Sequence, residues 1–429
     1  MEPAVSRTTD ILVVGSGMAG LMAAIVASGQ GKRVTLLSRG CGSLNIGSGC
    51  VDVLGYVNGQ AVGGQPLDAL DSLPERHPYR LVGKEGVAEA LKTLCAVSAR
   101  HGAPLKAAAS GNRRVPTILG TLKPTCLTLP SCRGELLETA SSALVVSVEG
   151  LKDSHPALVT AQLRRYPHLA AIAWHEAHLE NPIPGAHRNL SPLDIARYVE
   201  SPEGTAWLAA GLRKALRATP ADVVLLPPVC GLSNAAWEAV AAAVPVPLVE
   251  MPTLPPGVGG LRLYTALKSE LQARDVDVVE NALVTEAECD GKHCAALVAE
   301  TACGRRRFAA KAFVMATGGF MGGGFLSSPG EARETVFGLP VLQADGSPMP
   351  ARPEDWSDQN IFGNHAFASA GVMVNSAMSP LRIDGAPALN NVFFAGRSVG
   401  GYDFASEKSG NGVAVATAWR AALSACAQC

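Results

Sequence analysis

A chain of 429 residues has room for two or three domains, and 48% apolar against 17% charged residues can fill a large core, which excludes a disordered chain. The formal net charge of -1 excludes long-range attraction to nucleic acid or to an acidic membrane. Gly (45) and Pro (29) are somewhat high and aromatics only 5%, a balance that suits tight loops over buried phosphates and ring systems.

The N-terminus, MEPAVSRTTD, lacks the apolar stretch of a secretory leader. No uncharged apolar run reaches the roughly 18 residues of a membrane span, the longest being broken by Glu238, Pro245 and Pro247. Eleven scattered cysteines, an odd number without a leader, argue for reduced thiols in the cytosol. The expectation is a chain that is soluble by itself.

Residues 11–14 are apolar without alternation, the pattern of a central parallel strand. Gly15, Gly17 and Gly20 follow at dinucleotide-loop spacing, then a helix over 18–30 and a second strand over 33–37, which together predict a βαβ unit. Residues 38–55, SRGCGSLNIGSGCVDVLG, read as a long structured loop, 57–84 as irregular, and 86–98 as a helix. The middle predicts strands at 143–148 and 222–226 and helices at 157–168, 191–200, 204–217 and 234–243. Ser191 caps one of these, with Pro192 at its first position. A helix over 262–273, strand-like segments at 276–284 and 294–300, apolar strands running into glycines at 313–319 and 391–401, and an alanine-rich helix at 411–424 complete the chain. The fold class expected is α/β: a Rossmann-like flavin-binding domain formed by both chain ends, 1–114 and 301–429, with an inserted second α/β domain at 115–300.

A glycine loop between strand and helix has a definite physical use. Gly15 allows the tight turn, Gly17 lets a phosphate approach the helix N-terminus, and Gly20 permits close helix–strand contact. Met18 and Ala19, which open the helix, complete this cofactor-binding set. Where an acid would accept ribose hydroxyls the sequence has Ser38 and Arg39. Ser38 can make one neutral hydrogen bond, and Arg39 meets a phosphate or faces solvent. This is compatible with the shorter flavin FMN and leaves FAD open. Gly47, Ser48 and Gly49 offer amides and a hydroxyl either to a flavin edge or to a crowded turn. The late segments ATGG and NVFFAGRSVGG, with a helix starting near NG, can set helix N-terminal amides beside a flavin ring, where they stabilise negative charge on the reduced ring.

Over nearly its whole length the chain resembles the B-subunit family of anaerobic glycerol-3-phosphate dehydrogenase. The resemblance is carried by VVGSGMAG, LLSRG with GSGCVDVLG, RRVPTILGTLKPT, LLPPVCGLSN, EMPTLPPGVGGLRL, VMATGGFMGGG and NVFFAGRSVGG with GNGVA. More loosely it resembles the wider flavoprotein group that includes fumarate reductase. The resemblance implies oxidation of sn-glycerol 3-phosphate to dihydroxyacetone phosphate, with electrons passed to a quinone. It implies FMN in this chain, with FAD as the alternative. The partners it implies are the other two members of the same complex: the FAD-bearing catalytic A subunit, and the iron–sulfur, membrane-anchoring C subunit. It places this chain peripherally at the cytoplasmic face of the inner membrane, through those partners. The wider group's flavin-contact roles fall on Gly15, Gly17, Gly20, Ser38, Gly49, Gly318, Gly396 and Gly412. A stand-alone FAD-dependent oxidoreductase and a non-catalytic scaffold are the rival readings.

Hydride removal from a secondary alcohol needs a base near the hydroxyl, and a phosphate substrate needs Arg, Lys or backbone amides. Arg397, beside the late AG turn, is the first choice for touching flavin or substrate, and His365 is the candidate base or hydrogen-bond donor. Arg114, Lys123 and Arg262 are further candidates, each with an ordinary ion pair as the alternative. WHEAHLE sets His175 and His178 three apart, read as one face of a solvated helix rather than a metal site. Cys41 with Cys50, and Cys426 with Cys429, are spaced for redox exchange, but no CxxCxxC run supports an iron–sulfur cluster.

Overall fold

The computed structural model describes residues 9–108, 111–183, 185 and 189–429; residues 1–8, on which the expectation about a leader rests, lie outside it. The chain forms two units. One takes the chain up to Ser43, Asp52–Leu94 and Leu267–Cys429; the other takes Leu44–Val51 and Cys95–Ala266. The divisions differ from the sequence-based boundaries at 114/115 and 300/301. They fall inside the helices Lys84–Arg100 and Val258–Ala273, and the strands 277–301 belong to the first unit's sheet.

That sheet has seven strands. Asp277–Glu280, Val34–Ser38, Thr9–Val14, the long strand Gly304–Met315 and Val392–Phe394 pair in parallel, in that order. The first half of Gly304–Met315 instead pairs antiparallel with His293–Thr301, which pairs with Leu283–Asp290. The parallel strands are apolar throughout because they are covered on both faces: Ile11, Leu12, Leu36, Leu37, Phe313 and Val314 are fully buried. The helices Met18–Gly29 and Gly410–Cys426 pack on each other. Both are rich in Ala and Gly, whose small side chains allow a close helix–helix approach, and most of their residues are buried.

The second unit has a four-stranded parallel sheet, ordered Ala173–Leu179, Ser142–Val148, Val223–Leu226, Leu248–Glu250. Its alternation sorts two cores. Leu144, Val146, Val148, Val224 and Leu226 pack with Ile195, Val199, Leu208 and Leu212; Ala143, Val145, Val223 and Leu225 pack with Val159, Leu163 and Trp174. Helices thus cover both faces of this sheet. Ser191 caps its helix with Pro192 at the first position, as the sequence reading placed them, and Asp194 completes a reciprocal capping box.

The WHEAHLE segment is the main departure. It is the edge strand Ala173–Leu179, not a helix, so His175 and His178 point to opposite faces. An edge strand has water along one side, and its polar residues broke the apolar pattern that marks the inner strands.

Candidate functional site

The first unit brings four chain turns together at the carboxyl ends of its parallel strands. Gly15 N–H donates to Leu37 O (2.8 Å), Ala316 N–H to Val14 O (2.8 Å) and Ala395 N–H to Met315 O (3.0 Å). The turns following Val14, Ser38, Met315 and Phe394 therefore lie side by side, and the mouth of an α/β sheet at this end is where ligands bind. Gly15, Gly17, Met18, Ala19, Gly20, Ser38, Arg39, Gly318, Gly396 and Arg397 all sit in or beside these turns.

The glycines there have different reasons. Gly15 has φ +107°, and a Cβ on it would lie 2.2 Å from Ala316 O. A Cβ on Gly20 would lie 1.6 Å from Gly15 O, so this residue sets the contact between helix and strand. Gly396, with φ +70°, approaches Ala19, where its Cβ would lie 2.7 Å from the alanine's methyl, and its N–H donates to Thr417 Oγ1 (2.9 Å). Gly318, with φ +77°, turns the chain after Met315, and its carbonyl accepts from Ser398 Oγ (3.3 Å). Gly17 is unlike these. It caps the helix Met18–Gly29 with φ -75° and ψ -176°, and a Cβ on it would meet nothing within 4 Å. The first helical turn carries no acidic side chain. An open space at the positive end of a helix fits a phosphate group.

Ser38 is buried and already engaged. Its hydroxyl lies 2.7 Å from Ser16 Oγ and donates to Gly40 O (2.6 Å), and Ser16 Oγ also donates to Gly40 O. The residue that stands where a ribose-binding acid would be therefore ties its own turn to the glycine loop. Arg39 is exposed and pairs with no carboxylate among the described residues; its guanidinium lies near the Gly323 turn.

Arg397 is held by backbone. Its guanidinium donates to Ala370 O (3.2 Å), Phe367 O (3.3 Å) and Ala368 O (2.6 Å), and lies over the rings of Tyr402 and Phe404. Among the described residues no carboxylate forms an ion pair with it. His365 differs from the sequence expectation of a base. Its Nδ1 accepts from Asp358 N–H (3.0 Å) and its Nε2 lies 3.1 Å from Ile361 O, so both ring nitrogens fasten the 358–361 loop.

Gly412 also differs from the expected flavin contact. Its N–H donates to Asp52 O (2.9 Å), and a Cβ would meet Tyr79 Oη at 2.2 Å. Tyr79 Oη in turn donates to Val53 O (2.6 Å). The glycine at this position makes room for a protein hydroxyl.

Ser48 and Gly49 belong to the second unit. Ser48 Oγ accepts from Cys50 N–H (3.2 Å), and Gly49, with φ +77°, would drive a Cβ to 2.5 Å from Gly259 O. Gly257, Gly259 and Gly260 press in the same way on Gly47 O, Ser48 O and Leu44 O. The two glycine-rich motifs GSGC and PPGVGG thus lock backbone to backbone, a reason invisible in either motif alone. Nearby, Arg262 and Glu250 form a buried pair, Nη2 to Oε1 3.1 Å, and Arg262 also donates to Gly231 O and Ser131 Oγ. Burial is the largest influence on the Glu250 carboxylate and works against it, but the Arg262 charge together with the hydrogen bonds from Arg262, Cys230 N–H and Ser131 holds its pKa below the ordinary value. This arginine is structural, with no charge left for a phosphate. Cys50 packs with Val115 and Cys132 in the core, while Cys41 is exposed. At the C-terminus Cys429 Sγ donates to Asp10 O and Ala425 O (3.4 Å each).

The sequence reading missed one unusual group, Glu334. It is buried, and its Oε2 accepts from the N–H groups of Val336 (3.1 Å) and Phe337 (2.7 Å). Its Oε1 is buried with no hydrogen-bond partner. Burial pushes its pKa up to about 7 against the two backbone donors. No sequence signal marks it.

Residues 10–413 match the family described as FAD binding domain, a span that takes in all four turns of the strand-end crevice. A probable B subunit of anaerobic glycerol-3-phosphate dehydrogenase from Halobacterium salinarum is 32% identical over 97% of this chain and 97% of its own. The B subunit of anaerobic glycerol-3-phosphate dehydrogenase from Yersinia enterocolitica is 32% identical over 95% of this chain and 96% of its own. Among solved structures, the chain is similar to a 3-ketosteroid delta1-dehydrogenase from Sterolibacterium denitrificans, at 12% identity and a TM-score of 0.45, over 98% of this chain and 100% of that one. On the end-to-end identity and the matched domain, the chain belongs to the B-subunit family of anaerobic glycerol-3-phosphate dehydrogenase.

Proposed function

We propose that this chain is the flavoprotein B subunit of an anaerobic glycerol-3-phosphate dehydrogenase. It takes part in oxidising sn-glycerol 3-phosphate to dihydroxyacetone phosphate, with the electrons passed through partner subunits to a quinone. The observation that carries the reading is identity of 30–32% to proteins of that name along 95–97% of the chain. The partners are the FAD-bearing catalytic A subunit and the iron–sulfur C subunit, and the substrate site is assigned to neither chain alone. They hold this chain peripherally at the cytoplasmic face of the inner membrane. Among the described residues no helix is long and apolar enough to cross a membrane, and the membrane contact is assigned to a partner.

The flavin is FAD in this reading, supported by the matched FAD binding domain. Its phosphates are held by the first amides of the helix Met18–Gly29, in the space beside Gly17. FMN, the sequence-based first choice, keeps one specific support: Ser38 is buried and its hydroxyl donates to Gly40 O, so a neutral, enclosed oxygen stands where an acid would accept the adenosine ribose hydroxyls. When bound, the flavin supplies the hydride acceptor. The chain's own part is to position and to neutralise. Arg397, pinned by three carbonyls, presents a fixed positive charge to the flavin or to the substrate phosphate. His365 is read as the anchor of its loop, since proton transfer through it would first break a bond to backbone.

The test is acid release and chromatography of the flavin from the purified chain, beside the Gly17→Glu variant. FAD at one per chain, lost in the variant while its circular dichroism is unchanged, is the expected outcome. FMN at one per chain would move the cofactor assignment to the second choice. No flavin from the native chain, even after reconstitution, would leave a scaffold role. Glycerol-3-phosphate turnover then has to require this chain together with its partners; full turnover by the chain alone would overturn the reading of it as one part of a complex.

A further inference from the structure

Cys289 and Cys294 lie one residue from the turn of a hairpin in the first unit and are direct partners across it. Asp290 pairs with His293, so only Gly291 and Lys292 form the turn, with Gly291 at φ +57°. Cys294 N–H donates to Asn391 Oδ1 (2.9 Å), and Cys294 O accepts from Asn391 Nδ2 (2.8 Å). Both backbone groups of Cys294 therefore point away from the strand that carries Cys289. This makes the cysteines a non-hydrogen-bonded pair, the closer kind, with Cα atoms roughly 4.5 Å apart and side chains on one face. That spacing lies within the range a disulfide spans without backbone movement. The register also shifts between Glu288 and Cys289, which twists the hairpin end.

The two thiols differ in access. Cys289 is exposed and Cys294 is buried. Burial pushes the Cys294 thiol up, and the adjacent Cys289 sulfur adds to it. Cys289 is thus the sulfur that a soluble reagent reaches, and Cys294 the one that can resolve the product from within. The hairpin is also fastened at a useful place. Asn391 bridges Cys294 and Lys311 O (2.9 Å), and Asn390 N–H donates to Lys292 O (2.9 Å). These asparagines lead directly into the strand Val392–Phe394, whose end carries Gly396 and Arg397.

We propose that Cys289 and Cys294 form a reversible dithiol–disulfide site that reacts with low-molecular-weight disulfides. The Cys289 thiolate attacks one sulfur of the reagent, whose S–S bond breaks and releases one thiolate. Cys294 gives its proton to solvent and attacks the Cys289 sulfur, expelling the second thiolate. Two protein thiols are oxidised and one reagent disulfide is reduced to two thiols.

The experiment treats the full chain with oxidised glutathione, blocks remaining thiols with a maleimide, and digests with trypsin. Cleavage after Lys292 separates the two cysteines, so their disulfide joins two peptides. The expected result is a cross-link of the peptide ending at Lys292 to the one beginning at His293, reversed by dithiothreitol. Fragmentation must place it on Cys294 rather than on Cys303, which shares that second peptide. The cross-link should vanish in Cys289→Ser and persist in Cys303→Ser. Cys289→Ser changes an exposed side chain, so the test survives even if Cys294→Ser fails to fold. A stable glutathione adduct on Cys289 without the cross-link, a cross-link to Cys303, or two thiols still open to the maleimide would each overturn the proposal.

Discussion

Glu334 ends the short strand Glu331–Glu334, and the residue is 2% exposed. Two backbone N–H groups serve Oε2, whereas Oε1 is buried without a partner. The neutral acid is the form this setting favours, and the pKa rises from 4.5 to about 7. At about 1.4 kcal/mol per pH unit, the difference amounts to roughly 3 kcal/mol. The sign follows from proton binding. Between these two values the folded chain holds a proton that the unfolded chain has lost, so raising the pH favours unfolding. The contribution is fully present below 4.5 and is lost as pH rises through about 7. Glu334→Gln keeps a carbonyl for the two backbone donors and cannot ionise. Urea unfolding of both proteins from about pH 5 to about pH 8 should therefore show the variant gaining on the native chain by up to about 3 kcal/mol across the range. A difference that stays flat with pH would refute the burial argument, whatever the absolute stabilities. The next residue, Thr335, bonds the carbonyls of Gly323 and Gly324.

Gly20→Ala should cost upwards of about 4 kcal/mol, because its Cβ would lie 1.6 Å from Gly15 O; the check is the yield and melting temperature of folded protein. Arg397→Lys keeps the charge but cannot span three carbonyls, so turnover by the assembled complex should fall about tenfold or more while flavin content is unchanged. Glu250→Gln leaves Arg262 buried without a counter-charge and should destabilise the second unit by about 3–5 kcal/mol, read as a lower thermal midpoint.

The parts of the fold set by local rules were legible in the sequence. The apolar run at 11–14, the glycine loop and the helix behind it follow from burial on both faces and from helix-terminus chemistry. So does the Ser191 cap. The parts set by distant contacts were not. Ala173–Leu179 reads as a polar helix because its burial depends on lying beside Ser142–Val148, a partner some thirty residues away. The short strand Leu248–Glu250 ends in a charged residue, which no strand pattern favours, and it is stable there because Arg262 meets that charge. Residues 44–51 carried a flavin-loop signature, yet their glycines answer to Gly257, Gly259 and Gly260.

Glycine is the residue on which the sequence reading was most exposed, since it is used both where a ligand approaches and where the protein's own backbone does. The structure separates the two uses by what a Cβ would meet. Gly15, Gly20, Gly396 and Gly412 are each required by a protein atom closer than 3 Å, so their identity would be the same with no ligand at all. Gly17 has no such requirement. Its φ of -75° suits any residue, its Cβ direction is open, and it stands at a helix N-cap, where Ser, Thr, Asp or Asn would bond the first amides better. The fold by itself therefore favours another residue at position 17. A side chain there would fill the space in front of the helix amides, and an acidic one would add a charge of the same sign as a phosphate. Of the glycines in the motif, the middle one alone is not accounted for by a protein atom, and the space beside it at the start of the helix is where the proposed phosphate would lie.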